Sequence, residues 1–186
     1  MASMIEVTSG STSKYEKVKS SEIRGCHELR KSAHGGALPL SGPALQQLQS
    51  HRSIHEAAYG EAEELTHIAK AFAEAGKEQA VLSTVRLLIE HWQTRTLCHA
   101  TEEEEGFYKE VAMEYPEYAD KIFFLTRDHN VMRQLVEEVE KLLVTQGSVH
   151  AMLDRFQMLL WLVERHSRDE EKWLLDVAPN DHAKRR

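Results

Sequence analysis

Cysteine is almost absent from this chain: Cys26 and Cys98 are the only two among 186 residues. Two thiols cannot build a disulfide framework or a four-thiolate zinc site, and Cys98 is expected to be a free thiol. Proline is nearly as scarce, with four residues, and the nine glycines form no phosphate-cradling loop of the Walker or dinucleotide type. No apolar run approaches the ~20 residues that a membrane span needs, so a membrane partner is not expected. The first twenty residues, MASMIEVTSGSTSKYEKVKS, contain no apolar core of a secretory signal. A cytoplasmic location is the expectation. The net charge of −7 repels phosphate backbones, which argues against a nucleic-acid partner.

What the chain does have is histidine, eleven in all, set in an otherwise ordinary composition of 41% hydrophobic and 28% charged residues. Residues 1–42 are rich in Ser, Gly and Lys, carry six basic against four acidic side chains, and read as a flexible N-terminal arm. Beyond them the breaks are few and evenly spaced. Pro43 suits a first helical turn. Gly76 and Gly147 suit helix ends. Pro116 and Pro179 punctuate the rest. The segments between, about 43–75, 78–114, 116–146 and 148–177, are each near 30 residues.

Apolar residues recur in these segments at helical spacing, as in Ile122, Leu125, Met132, Val136, Val139 and Leu143, and strand alternation is absent. Short connections force neighbouring helices to run antiparallel. The expected fold is all-α, an up-down-up-down antiparallel four-helix bundle over 43–178, followed by a C-terminal tail, 179–186. Trp92, Trp161 and Trp173 are read as packing residues.

Each apolar stripe is interrupted by polar residues. The second segment carries His99 and Glu103, the fourth His166 and Glu170; an i,i+4 pair shares one helix face. The third places His129 on its stripe, and the first places His51 and His55. His55 and His99 stand 21 residues before and 23 after Gly76, and His129 and His166 stand 18 before and 19 after Gly147. Both hairpins therefore bring histidines to matching height. Burying so many imidazoles and carboxylates without partners would be costly. A metal removes that cost, and an N/O ligand set without sulfur suits iron, zinc or manganese. Two carboxylates on opposite helices suggest two ions. Level matching favours His55 as the first segment's ligand at this height. His51, ~6 Å further along the axis, is expected to serve the second ion if it is a ligand.

In duplicate, His-x-x-x-Glu with a histidine on each of the other two helices resembles the hemerythrin-like domain. The likeness covers about 43–178 and extends to a second acid and bulky apolar residues after each Glu: Glu104 with Phe107 and Tyr108, Glu171 with Leu174 and Leu175. It implies His55, His99, His129 and His166 as terminal ligands of two iron ions, rather than zinc or manganese, with Glu103 and Glu170 bridging. The family's oxygen carriers use a His-x-x-x-His pair on the third helix. Here that pair is His51 and His55 on the first, and Arg133 stands where the third helix would offer its second histidine. The resemblance implies binding of O2, peroxide or NO, or sensing of oxygen, iron or redox state, by a binding protein rather than an enzyme. Two alternatives stand beside it. A ferritin-like di-iron oxidase or storage bundle needs Glu-x-x-His on two helices, and Glu64–His67 supplies it once. A metal-free helical interaction module would leave the matched histidines unexplained.

Overall fold

The computed structural model describes residues 48–175. The expected arm, 1–42, and tail, 179–186, lie outside the described residues. Four helical rods follow one another. Helix α1 is Leu48–Glu74. Helix α2 spans 78–114 in three α-helical pieces, Glu78–His91, Leu97–Glu102 and Tyr108–Glu114, joined by π turns at Trp92–Thr96 and Glu103–Phe107. A short 3₁₀ turn, Pro116–Tyr118, leads into α3, Ala119–Val144. Helix α4, Val149–Glu170, continues into a further π turn, Glu171–Leu175. The described residues thus form an all-α four-helix bundle, as the periodicity predicts.

The helix ends follow local chemistry. Gly76 adopts a left-handed φ of 66° and closes α1, with its N–H donating to Ala73 O at 3.0 Å and that of Lys77 to Phe72 O at 2.9 Å. This double bond pattern satisfies carbonyls that the helix leaves open. The end of α3 repeats it with a different residue in the critical place. Gln146, not Gly147, takes the left-handed conformation, with φ 52°, and Gly147 N–H donates to Leu142 O at 2.7 Å. Gly147 is needed for proximity instead: a Cβ there would stand 2.7 Å from Leu142 Cδ2. Ser148 then caps α4 by accepting from the Ala151 N–H at 3.4 Å.

Inside, apolar side chains form two layers. The larger, at the end of the bundle with the two tight turns, includes Val85, Leu88, Trp92, Met132, Val136, Met152, Phe156 and Leu159. The smaller, at the opposite end, includes Phe107, Tyr108, Val111, Leu125, Leu174 and Leu175. Along every helix whose residues enter both layers, the histidines and glutamates fall between them. Full burial of a Leu or Phe contributes roughly 1.5–3 kcal/mol, so the layers set the helix phases and the polar stratum inherits them. Trp161 corrects the expectation for the tryptophans: Trp92 is buried and Trp173 half-buried, but Trp161 is 64% exposed on the outer face of α4.

The π turns keep that phase. Each accommodates one residue more than an α turn, and each separates two inward residues five apart: Trp92 and Leu97, Glu103 and Tyr108, Glu170 and Leu175 are all buried. A continuous α-helix would rotate the second member of each pair away from the core.

Gln146→Gly is expected to stabilise the protein by about 0.5–1 kcal/mol by relieving a Cβ in the left-handed region. Gly76→Ala should do the opposite. Thermal unfolding of the two variants checks both signs.

Candidate metal centre

The stratum between the apolar layers gathers all seven side chains singled out from the sequence. His51, Glu103, His129, His166 and Glu170 are buried, and His55 and His99 are nearly so. Six of them fall into two groups whose ligand atoms lie within 4.8 Å of one another: His51, His55, His99 and Glu103; and Glu103, His129 and His166. Glu103 belongs to both. Its Oε1 lies 2.8 Å from His99 Nε2, 3.0 Å from His51 Nε2 and 3.6 Å from His55 Nε2, while its Oε2 lies 3.3 Å from His129 Nε2. Glu170 approaches the stratum from α4, with Oε2 at 2.9 Å from His51 Nε2, 3.6 Å from His55 Nε2 and 4.0 Å from His166 Nε2.

The first helix thus contributes two rings to one group. His51 lies beside His55, ring centroids 4.4 Å apart and nearly perpendicular, and both belong to the group that includes His99 and Glu103. One helical turn separates them along α1, yet their Nε2 atoms lie 3.0 Å and 3.6 Å from the same oxygen, Glu103 Oε1. Level counting along straight rods does not register such convergence.

The donor chemistry fits metal ions. His55 Nε2 faces His99 Nε2 at 3.1 Å and His129 Nε2 faces His166 Nε2 at 3.0 Å. Two imidazole nitrogens this close cannot both donate, and each pair directs its atoms into one shared space. Glu103 Oε1 is near three ring nitrogens, yet none is aligned to donate to it. Glu103 Oε1, Glu170 Oε1, His55 Nδ1 and His166 Nδ1 are all buried without a hydrogen-bond partner. An orphaned buried polar atom costs ~1–3 kcal/mol, and cations between the groups would meet the two carboxylate oxygens.

Electrostatics of the metal-free stratum follow from this crowding. Burial alone would lower the His51 ring, but its hydrogen bond to Glu170 and the neighbouring carboxylates of Glu103 and Glu170 hold it at about 10. Burial likewise opposes the charged form of His129, and Glu103 and Glu104 carry it to about 9. Burial and the neighbouring charge on His129 push His166 down to about 3. Burial would raise Glu103, but His99 and the other rings hold it well below the usual carboxylate range. Glu170 is also lowered, by His51 and His55 against burial and the charge of Glu103.

Several neighbours carry roles that the sequence does not announce. Glu104 accepts from His129 Nδ1 and from Arg133, each at 2.9 Å. Tyr108 stacks on the His129 ring, 4° from parallel at 5.8 Å, with its buried hydroxyl unpartnered. Arg52 donates to Glu171 at 2.7 Å on the α4 side. The two acids following Glu103 and Glu170 therefore each hold an arginine from a neighbouring helix. Inward spacing of five residues was the available signal for the π turns that place these acids. Of the remaining candidates, Glu64 and His67 are exposed, which leaves the ferritin-type Glu-x-x-His spacing outside the core. His91 bonds the Ala58 carbonyl at 2.9 Å. The free-thiol reading of Cys98 is corrected, since its sulfur is disulfide-bonded.

A cavity of about 40 Å³ opens beside the stratum, lined by His55, His99, Glu103, His129 and His166 and by Ala58, Arg95, Thr96, Met132 and Val163. One water needs roughly 10–15 Å³ by the same measure, so this space takes a diatomic molecule or a few waters. Arg95 and Thr96, which line it from α2, belong to the first π turn. No helix among the described residues is long and apolar enough to cross a membrane.

A four-helix bundle with a buried group of histidines and glutamates able to hold metal defines a cation-binding class of protein. The family model of the hemerythrin HHE cation binding domain matches residues 46–178, and the chain belongs to that family. Searches of curated proteins and of solved structures give no match.

Metal uptake is expected to release protons. At pH 7 the metal-free protein holds an extra proton on His51 and on His129, because both lie above neutrality, and a ring must lose it to coordinate. Affinity should therefore rise between pH 6 and 8, and calorimetry in buffers of different ionisation enthalpy measures the proton count. Without metal, the stability that comes from the raised His51 and His129 is present below their unfolded value near 6.5 and is lost as pH rises through 9–10. That from the depressed His166 is present above 6.5 and is lost as pH falls toward 3. Chemical denaturation across pH should show both arms.

Proposed function

We propose that this protein is a non-haem di-iron protein of hemerythrin type that binds O2 or a related small oxidant, peroxide or NO, or senses oxygen, iron or redox state through the same centre. In this reading His51, His55 and His99 hold one iron, His129 and His166 the other, and Glu103 and Glu170 are shared. The observation that carries it is Glu103, whose two oxygens face different histidine groups. A single-ion site would need only one of them. Glu170, close to rings of both groups, supports the same arrangement.

Bound as a ferrous pair, iron would supply the electrons and the vacant coordination position that capture of such a molecule requires. The chain supplies the rest. Three rings against two make the halves unequal, so the half with fewer nitrogens is the one with room for an external ligand. Ala58, Met132 and Val163 give the adjoining cavity an apolar wall, which favours a small, weakly hydrated molecule over a large anion. Among the donors, nitrogen and oxygen also suit zinc and manganese; iron is inferred from family membership. Family membership favours a binding protein rather than an enzyme. A cytoplasmic setting is part of the same proposal.

Anaerobic reconstitution with ferrous ion followed by elemental analysis is expected to give about two metals per chain, with a higher melting temperature than the metal-free form, because ligands that bind only the folded state stabilise it. Glu103→Ala should lose most of both ions, since the carboxylate serves both groups. Less than half a metal in the wild-type chain, or full loading of Glu103→Ala, would defeat the two-ion reading.

A further inference from the structure

The two halves of the stratum differ in what supports them from outside. His129 is held on three sides. Its Nε2 faces His166 Nε2 at 3.0 Å and Glu103 Oε2 at 3.3 Å, its ring lies parallel to Tyr108, and its Nδ1 meets Glu104 Oε1 at 2.9 Å. Glu104 is itself held: Arg133 donates to the same oxygen at 2.9 Å, while its other terminal nitrogen donates to Thr101 Oγ1 at 3.2 Å. By contrast, Nδ1 of His55, in the three-histidine half, has no partner, and within its own half His129 is the ring held this way, Nδ1 of His166 being unpartnered.

An imidazole can offer only one lone pair when neutral. A carboxylate on Nδ1 keeps the proton there, leaves the lone pair on Nε2, and stops the ring from rotating about its side-chain bonds. Arg133 lies one turn beyond His129 on α3, so its guanidinium can span to α2 and fix Glu104 without reaching the stratum.

We propose that Glu104, locked by Arg133, is the positioning residue for the two-histidine half of the centre: it presents His129 Nε2 inward, and the second ion depends on it while the ion among His51, His55 and His99 does not. The proposal rests on the two-ion reading above. It assigns a function to an acid that lies outside both groups of candidate ligands and is hydrogen-bonded to His129. With only two rings in that half, loss of orientation in one removes half of its nitrogen ligation.

Anaerobic titration with cobaltous ion, followed by its visible absorption, separates the two equivalents. Wild type should take two. Glu104→Ala should bind the first as wild type does and the second about 10–100-fold more weakly, the usual cost of removing such a support, and the absorption of the second equivalent should change shape. Glu104→Gln, whose amide oxygen still accepts from Nδ1, should recover part of the second affinity. Arg133→Gln should fall between Glu104→Gln and wild type. Circular dichroism melting of each metal-free variant verifies folding; if Glu104→Ala does not fold, the near-isosteric Glu104→Gln decides, by a weaker second equivalent beside an unchanged first. Wild-type affinity for both equivalents in the folded Glu104 variants overturns the proposal, as does equal weakening of both. Fewer than two equivalents in wild type would instead overturn the two-ion reading on which it stands.

Discussion

The constraint on which the rest of this structure depends is the burial of two carboxylates, Glu103 and Glu170, in the middle of a helical bundle. Ionised groups are stable there only if positive charge or donated hydrogen bonds surround them on several sides. A four-helix bundle meets that demand because every helix contributes a side chain at one height. Five rings stand within 4.0 Å of one carboxylate or the other, and two of them, His51 and His55, approach both. The same demand explains why the acids stay ionised against burial and why His51 and His129 hold protons so firmly in the absence of metal. The metal-free stratum is a network of imidazolium and carboxylate charges in which protons stand in for cations.

The apolar layers on either side make this tolerable. They bound the stratum on both sides and fix the helix phases that aim the rings inward. Maintaining those phases through a layer of long polar side chains requires small adjustments, and the π turns provide them. Two begin at or directly after the shared glutamates, and the third precedes His99 by one turn. Each lets an inward glutamate or tryptophan be followed by an inward residue five positions on, and the first also places Arg95 and Thr96 beside the cavity. Irregular helix geometry and metal-binding chemistry therefore coincide for a packing reason: the apolar layers on both sides of the stratum must be reached by the same rods.

Much of the architecture was legible in the sequence. Sparse Pro and Gly at even intervals marked the helix ends within a few residues, because few residues can leave a helix cheaply. Periodic apolar stripes declared an all-α bundle. The i,i+4 spacing of His99 with Glu103 and of His166 with Glu170 put each pair on one face, and matching distances from the turns brought the hairpins' histidines together. These are properties of local geometry, so the sequence carries them. Gln146 shows the limit of the same logic: glycine marked the turn, but the left-handed conformation falls one position earlier, and Gly147 packs closely against Leu142.

By itself, then, the sequence determined the helices, their order, their inward faces and the identity of the polar residues on those faces, since each follows from spacing along one rod. Only the tertiary structure decided how the seven side chains divide. His51 and His55 share one group with His99 and Glu103. It also decided that Glu104 turns to His129 and Arg133, that Trp161 faces outward, and that Tyr108 lies on the His129 ring. Those outcomes depend on the rotation of neighbouring helices about their axes and on π turns that shift register by one residue, and such rotations are settled by packing between helices rather than by spacing within one.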